Sequence, residues 1–190
     1  MLALRRKGDT VKRTWLIVLA ALFVTACAQG GDPNEVGELQ PYINTNLGFR
    51  VDYPSNWKAV EDPDFLVGDV PNKLHAVIFL RDESSGVLFT VLIQQLDGEK
   101  TLAEFGDEQL AGAKSNSSAA QYSELTQSRL GGVDALSVQT RVEQSGAARL
   151  QRVVLAVNNG RGYGVSLMAP ENSPLIKTMD EMLATFKFLP

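Results

Sequence analysis

The chain consists mostly of short segments in which apolar and polar residues alternate. Phe49, Val51 and Tyr53 alternate with polar positions and Pro54 ends the run, which is typical of a half-buried β-strand. Turn residues such as Gly131 and Gly132 separate further segments of this kind. Strands are predicted there at 57–60, 74–80, 87–96, 122–130, 133–143, 149–157 and 163–169.

Two segments instead have apolar residues at helical spacing. Thr101 and Glu104 form a capping box at the start of the first. Its apolar face consists of Leu102, Phe105, Leu110 and Ala113. The second begins with Ser173 as N-cap and Pro174 in the first helical position. Its apolar face consists of Leu175, Ile176, Met179, Met182, Leu183 and Phe186.

Two of the predicted strands, 87–96 and 153–157, are apolar on both faces. Both faces of a sheet that contains such strands must be covered. One helix on each side would cover them. The pattern therefore predicts an α/β/α sandwich of the α+β class, with a mainly antiparallel sheet of about six strands and a helix on each face. An α+β sheet covered on one side only is the alternative.

The N-terminus has the composition of a secretion signal. Five basic residues precede an apolar run at 15–24, whereas a membrane-spanning helix needs about 20 apolar residues. The run ends in Val24, Thr25, Ala26 and Cys27, the pattern of a bacterial lipobox in which the cysteine receives a diacylglyceryl group. Cys27 is the only cysteine of the chain. A plain secretory signal with a coincidental cysteine is the alternative.

These features predict a lipoprotein with three parts. Residues 1–26 are the signal peptide, 27–41 are the acylated cysteine and a flexible tether rich in Gly, Pro and acidic residues, and 42–190 are one domain. Several acyl chains make such an attachment stable. We therefore expect an extracytoplasmic monomer, anchored by lipid to a bacterial membrane.

Charge narrows the range of partners. The signal contains five basic residues and one acidic residue, so its removal changes the net charge from −4 to −8. A protein with that charge is not expected to bind nucleic acid. Repulsion from anionic lipid also argues against a body that lies flat on the membrane.

The sequence offers few groups for catalysis. It contains one histidine and one cysteine, too few for a zinc finger, a disulfide scaffold or a catalytic Cys–His pair. A nucleophile elbow, a zinc-protease helix and a phosphate-binding P-loop are also absent from the sequence. We therefore predict a protein that is not an enzyme and has no cofactor.

The single histidine, His75, lies in the apolar segment 74–80, which favours a structural role. A weak divalent-cation site would need help from nearby carboxylates. The candidates in sequence are Glu61, Asp62, Asp64 and Asp69. Their spacing does not match a calcium-binding loop, so a solvated loop is favoured over a cation site.

The predicted domain opens with the motif G-F-x-V-x-Y-P-x-x-W at 48–57. A Thr-Leu-x-Glu-Phe helix at 101–105, a Gly-Gly-x-x-Ala turn at 131–135 and Phe-Lys-Phe at 186–188 follow. In this order the motifs resemble the PsbP-like family, which includes extrinsic subunits of photosystem II and bacterial lipoproteins. The resemblance covers nearly all of 42–190 and implies the PsbP-like fold and a non-catalytic role.

The resemblance implies a binding or assembly module for a membrane protein complex, related to photosystem II if the source is photosynthetic. A small-molecule or lipid carrier is the first alternative, and a structural envelope lipoprotein is the second. Tyr53 and Trp57 of the opening motif are candidate binding residues. Packing in the core is the favoured interpretation of both.

Overall fold

The computed structural model describes residues 35–62, 74–81, 85–116, 120–144 and 147–190. Some candidate residues lie outside these ranges: Val24, Thr25, Ala26, Cys27, Asp64 and Asp69. The signal peptide, the lipobox and part of the acidic stretch therefore stay predictions. No helix within the described ranges has the length and hydropathy of a membrane span.

The described part of the chain contains eleven strands and two helices. The strands are β1 (Leu39–Asn44), β2 (Phe49–Pro54), β3 (Lys58–Glu61), β4 (Leu74–Leu80), β5 (Leu88–Gln95), β6 (Gln121–Tyr122), β7 (Thr126–Leu130), β8 (Val133–Gln144), β9 (Ala147–Asn158), β10 (Arg161–Pro170) and β11 (Lys187–Phe188). The helices are α1 (Leu102–Asn116), between β5 and β6, and α2 (Leu175–Thr185), between β10 and β11.

The strands form two antiparallel sheets. The large sheet has eight strands in the order β3-β4-β5-β10-β9-β8-β6, and β7 pairs with another part of β8. The small sheet has three strands in the order β1-β2-β11. The small sheet joins the two ends of the described chain. Its strands β1 and β2 come from the N-terminal end, and β11, which follows α2, comes from the C-terminal end and pairs with Phe49 and Arg50.

Alternate residues of β9 enter two different hydrophobic clusters. Val154 and Ala156 belong to the larger cluster, which also contains residues of β2, β4, β5, β10 and α2. Val153 and Leu155 belong to a smaller cluster with Phe105 of α1. Successive side chains of a strand point to opposite faces, so β9 is buried on both faces, as its apolar sequence predicts.

The predicted arrangement of one six-stranded sheet between two helices is wrong. The structure has two sheets, and the three-stranded sheet packs on the large sheet where the sequence predicts a helix alone. Two strands of the small sheet have little sequence signal for a β-strand, because β1 contains Pro41 and β11 has only two residues. Their pairing depends on residues far away in the chain, which local patterns do not reveal.

The start of α1 agrees with the sequence, whereas the N-cap of α2 is Pro174 and not the predicted Ser173. Thr101 N–H donates to Glu104 Oε2 at 2.9 Å, and Glu104 N–H donates to Thr101 Oγ1 at 3.2 Å. Ser173 Oγ accepts a hydrogen bond from Leu175 N–H at 3.3 Å. Other boundaries differ: the predicted strand 122–130 is divided into β6 and β7, and β1 includes residues 39–41, which the sequence analysis places in the tether.

The turn between β1 and β2 explains the glycine of the opening motif. Gly48 has a φ of +76°, and a Cβ added there would lie 3.1 Å from the hydroxyl of Tyr163. That hydroxyl donates a hydrogen bond to the Leu47 carbonyl at 3.0 Å. Arg161 Nη1 donates to the Asn46 carbonyl at 3.0 Å. The large sheet therefore holds this turn of the small sheet in place.

Candidate functional site

Polar side chains join the two sheets where β1 approaches β3, and we call this group the seam network: Tyr42, Asn44, Glu61, Asp62 and His75. The Tyr42 hydroxyl donates to Glu61 Oε1 at 2.5 Å and accepts from Asn44 Nδ2 at 3.0 Å. Burial raises the pKa of the Tyr42 phenol, and the Glu61 carboxylate raises it further. The hydroxyl therefore keeps its proton and acts as the donor to Glu61.

His75 and Asp62 form the accessible end of the seam network. His75 Nδ1 lies 3.0 Å from Asp62 Oδ2, and Asp62 Oδ1 accepts the Ala76 N–H at 2.8 Å. Burial alone would raise the pKa of Asp62, but the hydrogen bonds from His75 and Ala76 outweigh it and lower the pKa. Both side chains are nearly half exposed. A partner on this surface would therefore meet an ionised carboxylate beside an imidazole.

The other two candidate residues pack into the interior. The Tyr53 ring lies 5.0 Å from that of Phe79, which Tyr42 also contacts edge-on at 5.2 Å. Trp57 is only 4% exposed, and its Nε1 has no hydrogen-bond partner in the described part of the chain. The structure thus connects Tyr53 to the seam network through Phe79, whereas no described contact connects Trp57 to it.

Within the described ranges, no group of three His, Cys, Asp or Glu side chains is arranged to hold a metal ion. The Tyr42–Glu61 hydrogen bond runs from the small sheet to the large one and suits the pair to fix the relative position of the sheets, whereas His75 and Asp62 pair on the large-sheet side. Sequence reasoning named Glu61, Asp62 and His75 but missed Tyr42 and Asn44. The inward alternation of Gln40, Tyr42 and Asn44 was the available signal, and it acquires meaning only once β1 is known to be a strand.

A second polar contact fixes the chain just before β1. Asn56 Oδ1 accepts the Gly37 N–H at 3.0 Å, and Asn56 Nδ2 donates to the Glu35 carbonyl at 3.0 Å. Ser55 N–H donates to the Glu38 carbonyl at 2.9 Å. We call this contact the Asn56 clamp. It determines where the N-terminal segment leaves the domain.

Apolar side chains are exposed next to this clamp. The described residues contain four exposed large apolar side chains, namely Val36, Leu39, Ile43 and Val60. Three of them lie between 36 and 43, and Ile43 is the most exposed at 57%. Leu39, Pro41 and Ile43 alternate with half-buried residues along β1, and we call these three residues the β1 strip.

Two cavities lie near α1. The smaller has a volume of about 30 Å³ and lies between the helix and the large sheet. It is lined by both apolar and polar side chains, including Leu110, Val153, Gln109, Thr140 and Gln151. An open cleft of about 440 Å³ adjoins the N-terminus of α1, where Glu99, Lys100 and Glu104 contribute to its lining.

Two solved structures share this architecture, and a third superposes too weakly to bear on it. The solution structure of cyanobacterial PsbP (CyanoP) from Synechocystis sp. PCC 6803 superposes with a TM-score of 0.62 at 19% identity, over 87% of this chain and 98% of that one. A crystal structure from Bacteroides thetaiotaomicron gives a TM-score of 0.55 at 13% identity, over 82% of this chain but only 50% of that one. LpqN of Mycobacterium tuberculosis, described as involved in cell envelope biogenesis, gives a TM-score of 0.45 at 14% identity, over 80% of this chain and 91% of that one.

Sequence comparison gives the family directly. No curated protein sequence matches the chain significantly. The model of the PsbP family, however, matches residues 37–188, which is most of the chain and extends from the Asn56 clamp to β11. The chain therefore belongs to the PsbP family.

Proposed function

We propose that this protein is a lipid-anchored, extracytoplasmic binding module that docks on a membrane protein complex or assists its assembly, without catalysis of its own. The observation that carries the proposal is a PsbP-family domain at 37–188, and a predicted lipobox ending at Cys27 precedes it in the sequence. If the source is photosynthetic, the complex is related to photosystem II. The lipid keeps the domain at the membrane, so a modest affinity for the complex is enough for docking.

The seam network supports a role in binding rather than in chemistry. Tyr42 bonds to Glu61 and Asn44, and His75 lies against Asp62, so these contacts hold the side chains in place and align no nucleophile with a general base. His75 and Asp62 remain accessible on the surface formed by the ends of β3 and β4. Paired surface charges of this kind contribute mainly to the specificity and rate of association.

The carrier alternative requires a cavity for its ligand. The cavity between α1 and the large sheet has about 30 Å³, which is enough for an ordered water, whereas drug-sized ligands occupy ~300–1,000 Å³. The larger cleft is open and carries the charged residues Glu99, Lys100 and Glu104. Neither of these two cavities of the described residues suits an acyl chain, which supports binding on the outer surface over the carrier alternative.

The test is a cross-linking purification from native membranes with Cys27→Ser and, as the matched control, Ala28→Ser. We expect acylated Cys27 in the parent and in Ala28→Ser, together with one stoichiometric membrane complex. Cys27→Ser should leave the membrane fraction or remain uncleaved, and should lose the complex. An unmodified Cys27 would refute the anchor. An acylated protein that retains only a small molecule or a lipid would favour the carrier.

A further inference from the structure

We propose that the outer face of the small sheet lies on the lipid surface beside the anchor. The contact consists of the β1 strip (Leu39, Pro41 and Ile43), with the cations Arg50 and Lys187 next to it. The inference rests on the proposed function, because it requires an acylated Cys27. It adds an orientation of the domain, in which the small sheet faces the membrane.

The register of the small sheet places the apolar strip and the cations on one face. Ile43 pairs with Arg50, and Arg50 pairs with Lys187, so these three side chains form one row across the sheet. Directly paired residues of antiparallel strands point to the same side. The alternate residues Phe49 and Val51 are fully buried against the large sheet, so the row with Ile43 faces outward.

The free edge of β1 is poorly suited to pairing with another strand. The Asp52 N–H donates to Thr185 Oγ1 at 2.8 Å, on the side of β2 away from β1. Pro41 is directly opposite Asp52, so its backbone groups also point away from the partner strand, toward the open edge of β1. Proline has no N–H to donate there. Proline on an edge strand prevents continuous addition of a further strand. The strip is thus presented for contact through its side chains, as at a lipid surface.

The Asn56 clamp keeps the strip close to the predicted anchor. Cys27 and Glu35 are eight residues apart, and the clamp holds Glu35 and Gly37 against the domain. Eight residues span at most about 28 Å when fully extended, and about 16 Å as a flexible chain. The strip begins four residues after Glu35, so an acylated Cys27 brings it to the bilayer. A tether that continued to Pro41 would not restrict the domain in this way.

Local charge removes the objection raised by the net charge of −8. Salt screens exposed charges beyond about 8 Å at physiological ionic strength, so the charges that face the lipid decide the interaction. On the outer face of the small sheet these are Arg50, Lys187 and Asp52, and Asp52 is paired with Arg50 at 3.1 Å. The strands of the small sheet therefore present no excess negative charge there, and the exposed Glu35 and Glu38 precede the strip in the chain. An aliphatic strip bordered by Arg and Lys is the composition found at membrane interfaces.

Cys27 is the only natural thiol of the chain, and its proposed acylation leaves no thiol to react with a label. Ile43→Cys provides one free thiol in the strip, and Val60→Cys is the matched control on β3. Val60 is also exposed, but it pairs with Ile78, whose neighbours Val77 and Phe79 face the small sheet, so Val60 points the other way. The acylated variants carry an environment-sensitive fluorophore in phosphatidylcholine and phosphatidylglycerol vesicles with a lipid-borne quencher.

We expect the label at 43 to be quenched by the lipid and protected from aqueous iodide, and the label at 60 to show the opposite. Adding Lys187→Glu should reduce lipid quenching at 43. Equal quenching at both positions, or free access of iodide to 43, would overturn the inference. A label at 43 that is protected from iodide in native membranes but not quenched by lipid in the vesicles would also overturn it. That result would assign the strip to a protein partner or a second copy of the chain. Mass spectrometry of Cys27 separates all of these results from a failure of the anchor itself.

Discussion

Gly162 lies where α1 crosses the large sheet, and it provides a sharp test of the packing. It is in β10, paired with Gln94 of β5 and Val157 of β9. A Cβ at this position would lie 2.5 Å from Cζ and 2.6 Å from Cε2 of Phe105. Its φ is not in the left-handed region, so Gly162→Ala changes the space that is filled without straining the backbone.

The expected effect follows from two opposing terms. Phe105 is 1% exposed, so its ring cannot move into solvent to make room, and overpacking of this kind costs about 1–3 kcal/mol. Replacing a strand glycine by alanine stabilises the folded state by roughly 0.5–1 kcal/mol, because the unfolded chain then has less conformational entropy to lose. The two terms leave a net loss of about 0–2.5 kcal/mol, and the 2.5 Å approach to a buried ring places Gly162→Ala in the upper part of that range, at about 1–2.5 kcal/mol in the free energy of unfolding. At this chain length each kcal/mol corresponds to about 2–4 °C in Tm.

Gly164 offers a matched control two residues further along the same face of β10. A Cβ there would meet its nearest atom, Leu155 Cδ2, at 3.6 Å, which is ordinary van der Waals contact. We expect Gly164→Ala to match or slightly exceed the parent in stability. Urea and thermal unfolding followed by circular dichroism would measure both variants. Equal losses in the two variants, or no loss in Gly162→Ala, would refute the packing argument. Recovery by adding Phe105→Leu would locate the cause at the ring.

Two further predictions concern the capping box and the seam network. Thr101→Ala removes the side chain that accepts the Glu104 N–H, and we expect a loss of about 1 kcal/mol in urea unfolding that Thr101→Ser avoids; equal losses in the two variants would contradict the cap. Asp62→Asn should destabilise the protein at neutral pH. The folded pKa of Asp62 lies below the unfolded value near 3.9, so its stabilisation exists above that pH and disappears as the pH falls through the folded pKa. Urea unfolding at pH 7 and pH 3 should therefore show the difference between parent and variant shrinking in acid, and a constant difference would exclude the ionised Asp62 carboxylate, which bonds to His75 and Ala76, as its source.

Local structure was predictable wherever neighbouring residues decide it. The capping box of α1 depends on contacts within three residues, and it was predicted from the sequence. The burial of β9 on both faces was readable because its two faces are apolar. The opening motif indicated the family, and its Gly48 has the positive φ that the turn between β1 and β2 requires.

The second sheet and the candidate site could not be predicted from local sequence, because both form through contacts between distant segments. β1 contains a proline and β11 has two residues, so neither has a strong local preference, and both form because β2 lies between them. Tyr42 joins Glu61 only because the two sheets approach each other there. Local patterns predicted both helices, most strands of the large sheet and their buried faces, since these depend on neighbouring residues, and the lipid anchor stays a prediction. Which elements share a layer, and which polar residues meet across it, depends on contacts between distant segments, and these exist only in the folded chain.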